Sequence, residues 1–392
     1  MLVGDGMADF PIEELGGKTP LEYASTPNMD KVVTLGRTGL VSTVPQGLNP
    51  GSDVANMSLL GYDPAVYYSG RAPVEAASMG IALEKGDIAF RCNLVTLNDG
   101  LMQDYSAGHI STDDAHKLIS LLQEKLGSDT VRFYPGVSYR HLLVTKGIGR
   151  GLDCTPPHDI TDKAYKEFLP RGEDSALIIS IMEEAREILA HADVNAERVR
   201  CGKKPASDIW LWGQGPAASL PGLYERYSLR GSVISAVDLV RGLGKLAGLS
   251  VRIVEGATGY LGTNYAGKVK AAIDALDNGE DYAYLHVEAP DETSHEGSLS
   301  KKIQAIEEFD MFVVGEMLAY AQKRGDVRVM VAPDHATPVS MKTHHAMPVP
   351  WGAFGPAIEA DKASSYNEKS AEGTTPVTGP ELFEAFIRGN LD

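Results

Sequence analysis

The stretch Tyr282-Ala-Tyr-Leu-His-Val287 constrains the fold more than any other. It reads as a buried strand, and it breaks at Ala289-Pro290 into a loop carrying Asp291 and His295. Such a strand needs covering layers, and an acid and an imidazole at its C-terminal end sit where open α/β sheets place their chemistry. Asp-x-x-x-His alone is equally an ordinary surface loop, so the rest of the chain must supply partners.

The surrounding pattern alternates strands with helices. Thr19-Pro20 opens a helix running to about Gly36, with a capping hydroxyl and a proline in the first turn. Leu40 to Val44 is strand-like, and the breaker-rich loop Pro45 to Gly51 leads into a short helix from Ser52 to Gly61. Ser52 stands at the start of that helix. It is either an ordinary N-cap or a nucleophile, held where free N–H groups and the helix dipole favour negative charge. Later come a strand at Ile209 to Trp212, a turn at Gly213 to Pro216, a helix over Ala236 to Ala247, a strand near Val251 to Val254 and a helix over Lys268 to Leu276. The helix Leu299 to Lys323 carries Leu299, Ile303, Ile306, Phe309, Val313 and Met317 on one stripe. The strand Arg328 to Ala332 ends in Pro333-Asp334-His335, and a proline-rich loop follows with His344, His345, Pro348 and Pro350. Ala360 to Thr375 reads as a surface loop before a C-terminal helix over Pro380 to Arg388. The rhythm predicts an α/β core with a mostly parallel sheet and helices on both faces.

The texture changes between Ile81 and Ser207. Strand-like pieces (Ala89 to Thr96, Val131 to Tyr134, Tyr139 to Val144) mix with helices over Asp113 to Gly127 and Ser180 to Ala192. This predicts a smaller α+β domain, 81–207, inserted into a core formed by 1–80 and 208–392. Arg91, Asn93, His109, Arg140, His141, His158, Asp159 and Arg171 all lie in the insert. Singly each is a surface group or a structural pair; together they suit a small anion.

Composition excludes several classes. With 36 basic against 53 acidic residues the net charge is -17, which argues against nucleic-acid binding. No apolar run reaches the ~20 residues of a membrane span. The start, MLVGDGMADF, has no signal-peptide pattern. Cys92, Cys154 and Cys201 are widely spaced, which predicts a reducing, cytoplasmic setting and no thiolate zinc site.

Asp5, Ser52, Asp291, His295, Asp334, His335 and His344 each fall in a turn or just past a predicted strand. Carboxylates mixed with imidazoles suit zinc or manganese, and the donors exceed what one ion with open positions uses. Two ions about 4 Å apart are the natural arrangement, and a serine beside them is a nucleophile for phosphoryl transfer.

The order Asp, Ser, Asp-x-x-x-His, Asp-His, then His before Pro-x-Pro resembles the alkaline phosphatase superfamily. More narrowly, the chain resembles the cofactor-independent phosphoglycerate mutases of the archaeal type. The resemblance rests on Gly4 to Asp9, Pro50 to Pro64, Arg91 to Asn93, Trp210 to Gly215, Ser235 to Leu239, Asp291 to His295, Asp334-His335 and His344 to Pro350. It implies a phosphatase-like core with an inserted substrate-clamping domain. It also implies one metal held by Asp291, His295 and His344, and another held by Asp5, Ser52, Asp334 and His335. The metals would be manganese or zinc, with magnesium or cobalt also fitting, and no 2,3-bisphosphoglycerate is required. Spacing to Pro348-Val-Pro350 favours His344 over His345. The implied reaction interconverts 3-phosphoglycerate and 2-phosphoglycerate through a phosphoserine at Ser52. Arg91, Asn93, His109, Arg140, His158 and Asp159 would hold the glycerate. The alternative is a metal-dependent phosphatase or phosphotransferase acting on another small hydroxy acid, or on an amino acid such as homoserine.

Overall fold

The computed structural model describes residues 1–391. The chain divides into two compact units, one formed by Met1–Tyr68 and Leu220–Asp392, the other by Ser69–Ser219. In chain order, β1 (Leu2–Gly4) and β2 (Arg37–Ser42) come first. Then β3 (Asp87–Asn98), β4 (Leu101–Asp104), β5 (Val131–Tyr134), β6 (Arg140–Lys146) and β7 (Asp208–Pro216) belong to the inner unit. Finally β8 (Gly231–Ile234), β9 (Ser250–Arg252), β10 (Tyr282–Val287), β11 (Val329–Ala332), β12 (Val349–Phe354) and β13 (Val377–Thr378) return to the outer one.

The outer unit holds an eight-stranded sheet in the order β13-β2-β12-β11-β1-β10-β8-β9. It is parallel except where β12 runs against both β11 and β2. The strand β1 spans only three residues, yet it lies between β11 and β10, with Leu2 opposite both Leu285 and Val331. Every residue of β10 is buried, as expected for a strand with helices on both faces. The helix Leu299–Phe309 continues through a π-helical turn, Asp310–Val314, into Gly315–Arg324. Its stripe does reach the core, with Ile306, Phe309, Val313 and Met317 buried. Burying each such side chain is worth roughly 1.5–3 kcal/mol.

Some local expectations change. The helix expected from Thr19 to Gly36 is two helices, Pro20–Tyr23 and Pro27–Thr34. Pro27 disfavours helical backbone at the residue before it, and Asp310 takes the free N–H groups of Asn28 and Met29. Residues 360–375 are not merely surface, because Tyr366 and Ala371 are fully buried.

The inner unit is antiparallel. Its sheet runs β4-β3-β6-β5, with β7 paired to β3 from Ile88 to Val95. The helices Thr112–Leu126 and Ser175–Ala190 cover it, burying Leu118, Ile119, Leu122, Ile178, Met182 and Leu189 against Phe90, Leu94 and Trp210. The helix Arg71–Ser78 and β7 fall in this unit, beyond the 81 and 207 limits suggested by composition. Pairing explains the difference. The turn Gly213 to Pro216 is the end of β7 rather than a loop, and Ala72 and Ala76 pack on Ala89, Leu142 and Val144.

Candidate active site

Three neighbouring strands, β11, β1 and β10, deliver their C-terminal ends side by side. Asp334 and His335 follow β11, Asp5 follows β1, and Asp291 follows β10. The loop expected to carry Asp291 and His295 is instead a helix, Ala289–His295. That puts the two residues at i and i+4 on one face. Asp5, Asp334 and His335 are almost fully buried, and Asp291 is 7% exposed. Gly6 adopts a positive φ of 63°, and a Cβ there would lie 2.6 Å from Asp291 Oδ1, so only glycine lets this turn close.

Two groups of donors result. In the first, His295 Nε2 lies 3.1 Å from Asp291 Oδ2 and 3.0 Å from His344 Nε2. In the second, His335 Nε2 lies 3.5 Å from both Asp5 Oδ1 and Asp334 Oδ2, and 3.1 Å from Ser52 Oγ. The rings of His335 and His344 are 4.2 Å apart, so the groups adjoin. His345 turns elsewhere: its Nδ1 accepts the N–H of Met347, and its ring packs on Phe10.

Hydrogen bonds fix the imidazoles. Thr337 Oγ1 donates to Asp291 Oδ1 at 2.5 Å and so accepts at 3.2 Å from His335 Nδ1. His335 therefore turns the lone pair of Nε2 toward Ser52 and Asp5. His295 Nδ1 donates to the Lys342 carbonyl at 2.9 Å, which aims its Nε2 at Asp291 and His344. Such partners on the far ring nitrogen orient metal-ligating histidines in general.

Electrostatics point to cations. Burial, and then the carboxylates of Asp334 and Asp291, push the Asp5 carboxyl well above its ordinary range. Burial acts the same way on Asp291, but hydrogen bonds from His295 and His344 outweigh it and hold the group well below the usual range. Burial lowers His295, yet its bond to Asp291 wins and raises it to about 9. Burial pushes His335 down. Asp5 Oδ1 is buried without a hydrogen-bond partner. A mixed oxygen and imidazole donor set with an orphaned carboxylate oxygen fits divalent ions. Among the described residues, Asp291, His295 and His344 form one set able to hold an ion, and Asp5, Asp291 and His335 form another.

Ser52 is the first residue of the helix Ser52–Leu59, and Gly51, rather than Ser52, is its N-cap. The Ser52 side chain is thus free of capping duty. Asn56 stands one turn on. Its Nδ2 donates to Ser52 O at 2.9 Å and to Asp334 Oδ2 at 2.7 Å, while its Oδ1 accepts from Tyr284 O–H at 2.6 Å. It ties the serine helix to β10 and to Asp334. Replacing Asn56 with Leu leaves two buried polar groups unpaired. We expect a loss of about 2 kcal/mol in unfolding free energy and at least a tenfold fall in kcat, read by denaturant titration and steady-state assay.

The inner unit assembles a second cluster. Arg91 is buried and stacks over Trp212 at 4.5 Å. Its Nε lies 3.1 Å from Glu75 Oε2, an ion pair whose angle misses a hydrogen bond. Burial lowers the Arg91 guanidinium to about 10, so it stays a cation near neutral pH. Asn93 Oδ1 accepts from Trp212 Nε1 at 3.1 Å. The His158 ring sits 5.4 Å from Trp212, His109 lies 6.3 Å from Tyr139, and Arg140 lies 5.4 Å over Tyr139. Tyr105 contacts both Tyr139 and His158, which closes the chain of contacts. Asp159 is exposed beside His158, at 3.6 Å. Sequence reasoning missed Arg71 and Trp212; the Arg71 guanidinium lies 5.7 Å over the same indole. His141 and Arg171 do not join this cluster: the His141 ring accepts from Gly136 N–H, and Arg171 donates to Glu167 O.

Comparison with known proteins places this chain in a family. The family model for 2,3-bisphosphoglycerate-independent phosphoglycerate mutase matches residues 34–195. The chain is 51% identical to the enzyme of that name from Methanosarcina mazei, over 95% of this chain and 94% of that one. It is 50% identical to the probable enzyme from Geobacter sulfurreducens, over 99% and 98%. Among solved structures, the PH0037 protein from Pyrococcus horikoshii superposes with a TM-score of 0.82 at 28% identity, covering 99% of this chain and 96% of that one. The cofactor-independent phosphoglycerate mutase from Thermoplasma acidophilum superposes with a TM-score of 0.67 at 27% identity, covering 99% and 98%. Identity at this level over nearly the full length decides the matter: the chain belongs to the 2,3-bisphosphoglycerate-independent phosphoglycerate mutase family.

Proposed function

We propose that this protein interconverts 3-phosphoglycerate and 2-phosphoglycerate through a phosphoserine at Ser52. The observation that carries the reading is Ser52 Oγ, free of capping duty, 3.1 Å from the Nε2 lone pair of a buried, fixed His335. One divalent ion would be held by Asp291, His295 and His344, the other by Asp5, Ser52, Asp334 and His335. Manganese or zinc suits these donors, with magnesium or cobalt also fitting. Bound there, the ions would lower the serine hydroxyl pKa and neutralise phosphoryl oxygens.

The protein's own residues account for the rest. Ser52 Oγ attacks phosphorus in line, the bond from phosphorus to the 3-oxygen of glycerate breaks, and a proton returns to that oxygen. The glycerate re-orients and its 2-hydroxyl takes the phosphoryl group back, releasing Ser52 as a hydroxyl. Arg91 and Arg140 are the groups best suited to the glycerate carboxylate, because guanidinium binds carboxylate bidentately. Asn93, His109, His158 and Asp159 stand in or beside the same cluster. Water has to be kept out, or phosphoserine hydrolyses and the enzyme is a phosphatase.

The test is one reaction followed two ways, by an enolase-coupled assay for 2-phosphoglycerate and by release of free phosphate. The mutase reading expects coupled turnover with little free phosphate. Phosphate release without 2-phosphoglycerate would favour a phosphatase or a phosphotransferase with another acceptor. The arginines extend this test. Arg140→Ala, the exposed and therefore milder change, and Arg91→Ala should lower mutase turnover about 10- to 100-fold, the worth of a charged hydrogen bond or two. Both should raise the ratio of free phosphate to 2-phosphoglycerate, since glycerate escapes before re-orienting. An unchanged ratio with unchanged KM would remove them from substrate binding.

A further inference from the structure

The strand β10 carries one more imidazole toward this cluster. His286 is fully buried. Its Nε2 lies 3.3 Å from Asp5 Oδ2 but makes no hydrogen bond there, because the angle is wrong. Its Nδ1 lies 3.3 Å from Glu288 Oε1 and 3.4 Å from Ser235 Oγ. Glu288 accepts from Ser235 Oγ and from the N–H groups of Ala236 and Val237, and it pairs with the buried Lys268 at 2.8 Å. Ser235 gives its only proton to Glu288, so neither neighbour can donate to His286. The ring proton therefore sits on Nδ1, and the lone pair of Nε2 is left facing Asp5.

His295 and His335 share this arrangement: each has Nδ1 tied to an acceptor and Nε2 turned to carboxylates. One ligand atom each from Asp5, His286 and Asp334 lies within 4.8 Å of the others, and all three residues are buried. Resting on the two-metal reading above, we propose that His286 Nε2 is a further protein ligand to the ion held by Asp5 and Asp334. Glu288, Ser235 and Lys268 then serve to orient that ring, as a carboxylate behind a ligating histidine generally does. A ligand role for His286 accounts for the lysine and the glutamate buried beside the site as a matched pair. They leave Glu288 a charged acceptor without adding net charge.

The test begins with wild-type protein crystallised with manganese or zinc. The expected result is an ion at Asp5 and Asp334 with His286 Nε2 at about 2.0–2.2 Å. Ions in both expected positions, with Nε2 beyond ligand distance, would overturn the proposal while leaving the two-metal reading intact. No ion at Asp5 would sink that reading itself. A solution measurement complements this. In cobalt titrations followed by visible absorption and chelator competition, His286→Ala should weaken one of two equivalents at least about 10- to 100-fold. Glu288→Gln, which keeps an acceptor but loses its charge, should weaken the same equivalent less. Two equivalents of unchanged affinity and spectrum in folded His286→Ala would also overturn the proposal.

Discussion

Ser52→Ala is expected to abolish both mutase turnover and phosphate release, by at least about 10⁴-fold, the scale on which losing a nucleophile is felt. The hydroxyl is the only group of this side chain that reaches the cluster, at 3.1 Å from His335 Nε2. Its loss leaves the caps and packing of the helix Ser52–Leu59 in place, because Gly51 is the N-cap and Asn56 holds the backbone carbonyl of residue 52 rather than its side chain. Stability should therefore change by well under about 1 kcal/mol. Metal analysis should still find both ions, perturbed only by one lost oxygen donor. Activity above trace in this variant would remove Ser52 from the mechanism.

The adjacent histidines should behave in opposite ways. His344→Ala is expected to lose one metal equivalent and nearly all activity. His344 Nε2 stands 3.0 Å from His295 Nε2 and 3.6 Å from Asp291 Oδ1, so its loss opens the first donor set. His345→Ala is expected to keep both equivalents. Its ring packs edge-on to Phe10 and accepts a backbone N–H, contacts worth about 1–2 kcal/mol of stability together. Elemental analysis of the dialysed variants, read beside thermal unfolding, separates the two. A missing equivalent in His345→Ala with a full complement in His344→Ala would reverse the assignment.

Much of this site is legible in the chain because strand ends advertise it. The Asp-His after Arg328 to Ala332, and Asp291 after β10, sit beside breakers that mark where a strand stops. In the sequence the helix Ala289–His295 looks like a loop, because Pro290 resembles a terminator. Proline is equally at home in a helix's first turn, and there it begins one. Asn56 and His286 were hidden for a different reason. Asn56 matters through Asp334, 278 residues away, and His286 looks like a polar residue within an otherwise apolar strand. Its alternation puts it on the Asp5 side only once β1 is known to be the neighbour, with Val3 opposite His286. Trp212 and Arg71 were missed likewise. The strand β7 carrying Trp212 and the helix carrying Arg71 lie outside the segment whose composition marks the insert; β7 joins it by pairing with β3, and the helix by packing Ala72 and Ala76 on Ala89, Leu142 and Val144.

The phosphoserine at Ser52 is a covalent intermediate and can be captured. Protein mixed with excess 3-phosphoglycerate is quenched in acid during steady-state turnover, digested and mapped by mass spectrometry. One phosphorylated peptide carrying the modification on Ser52 is expected, at a level that decays when substrate is exhausted, with label from substrate phosphate recovered in 2-phosphoglycerate. Robust mutase turnover with no modified Ser52 at any quench time, or with phosphate on another residue, would contradict a phosphoserine intermediate at Ser52.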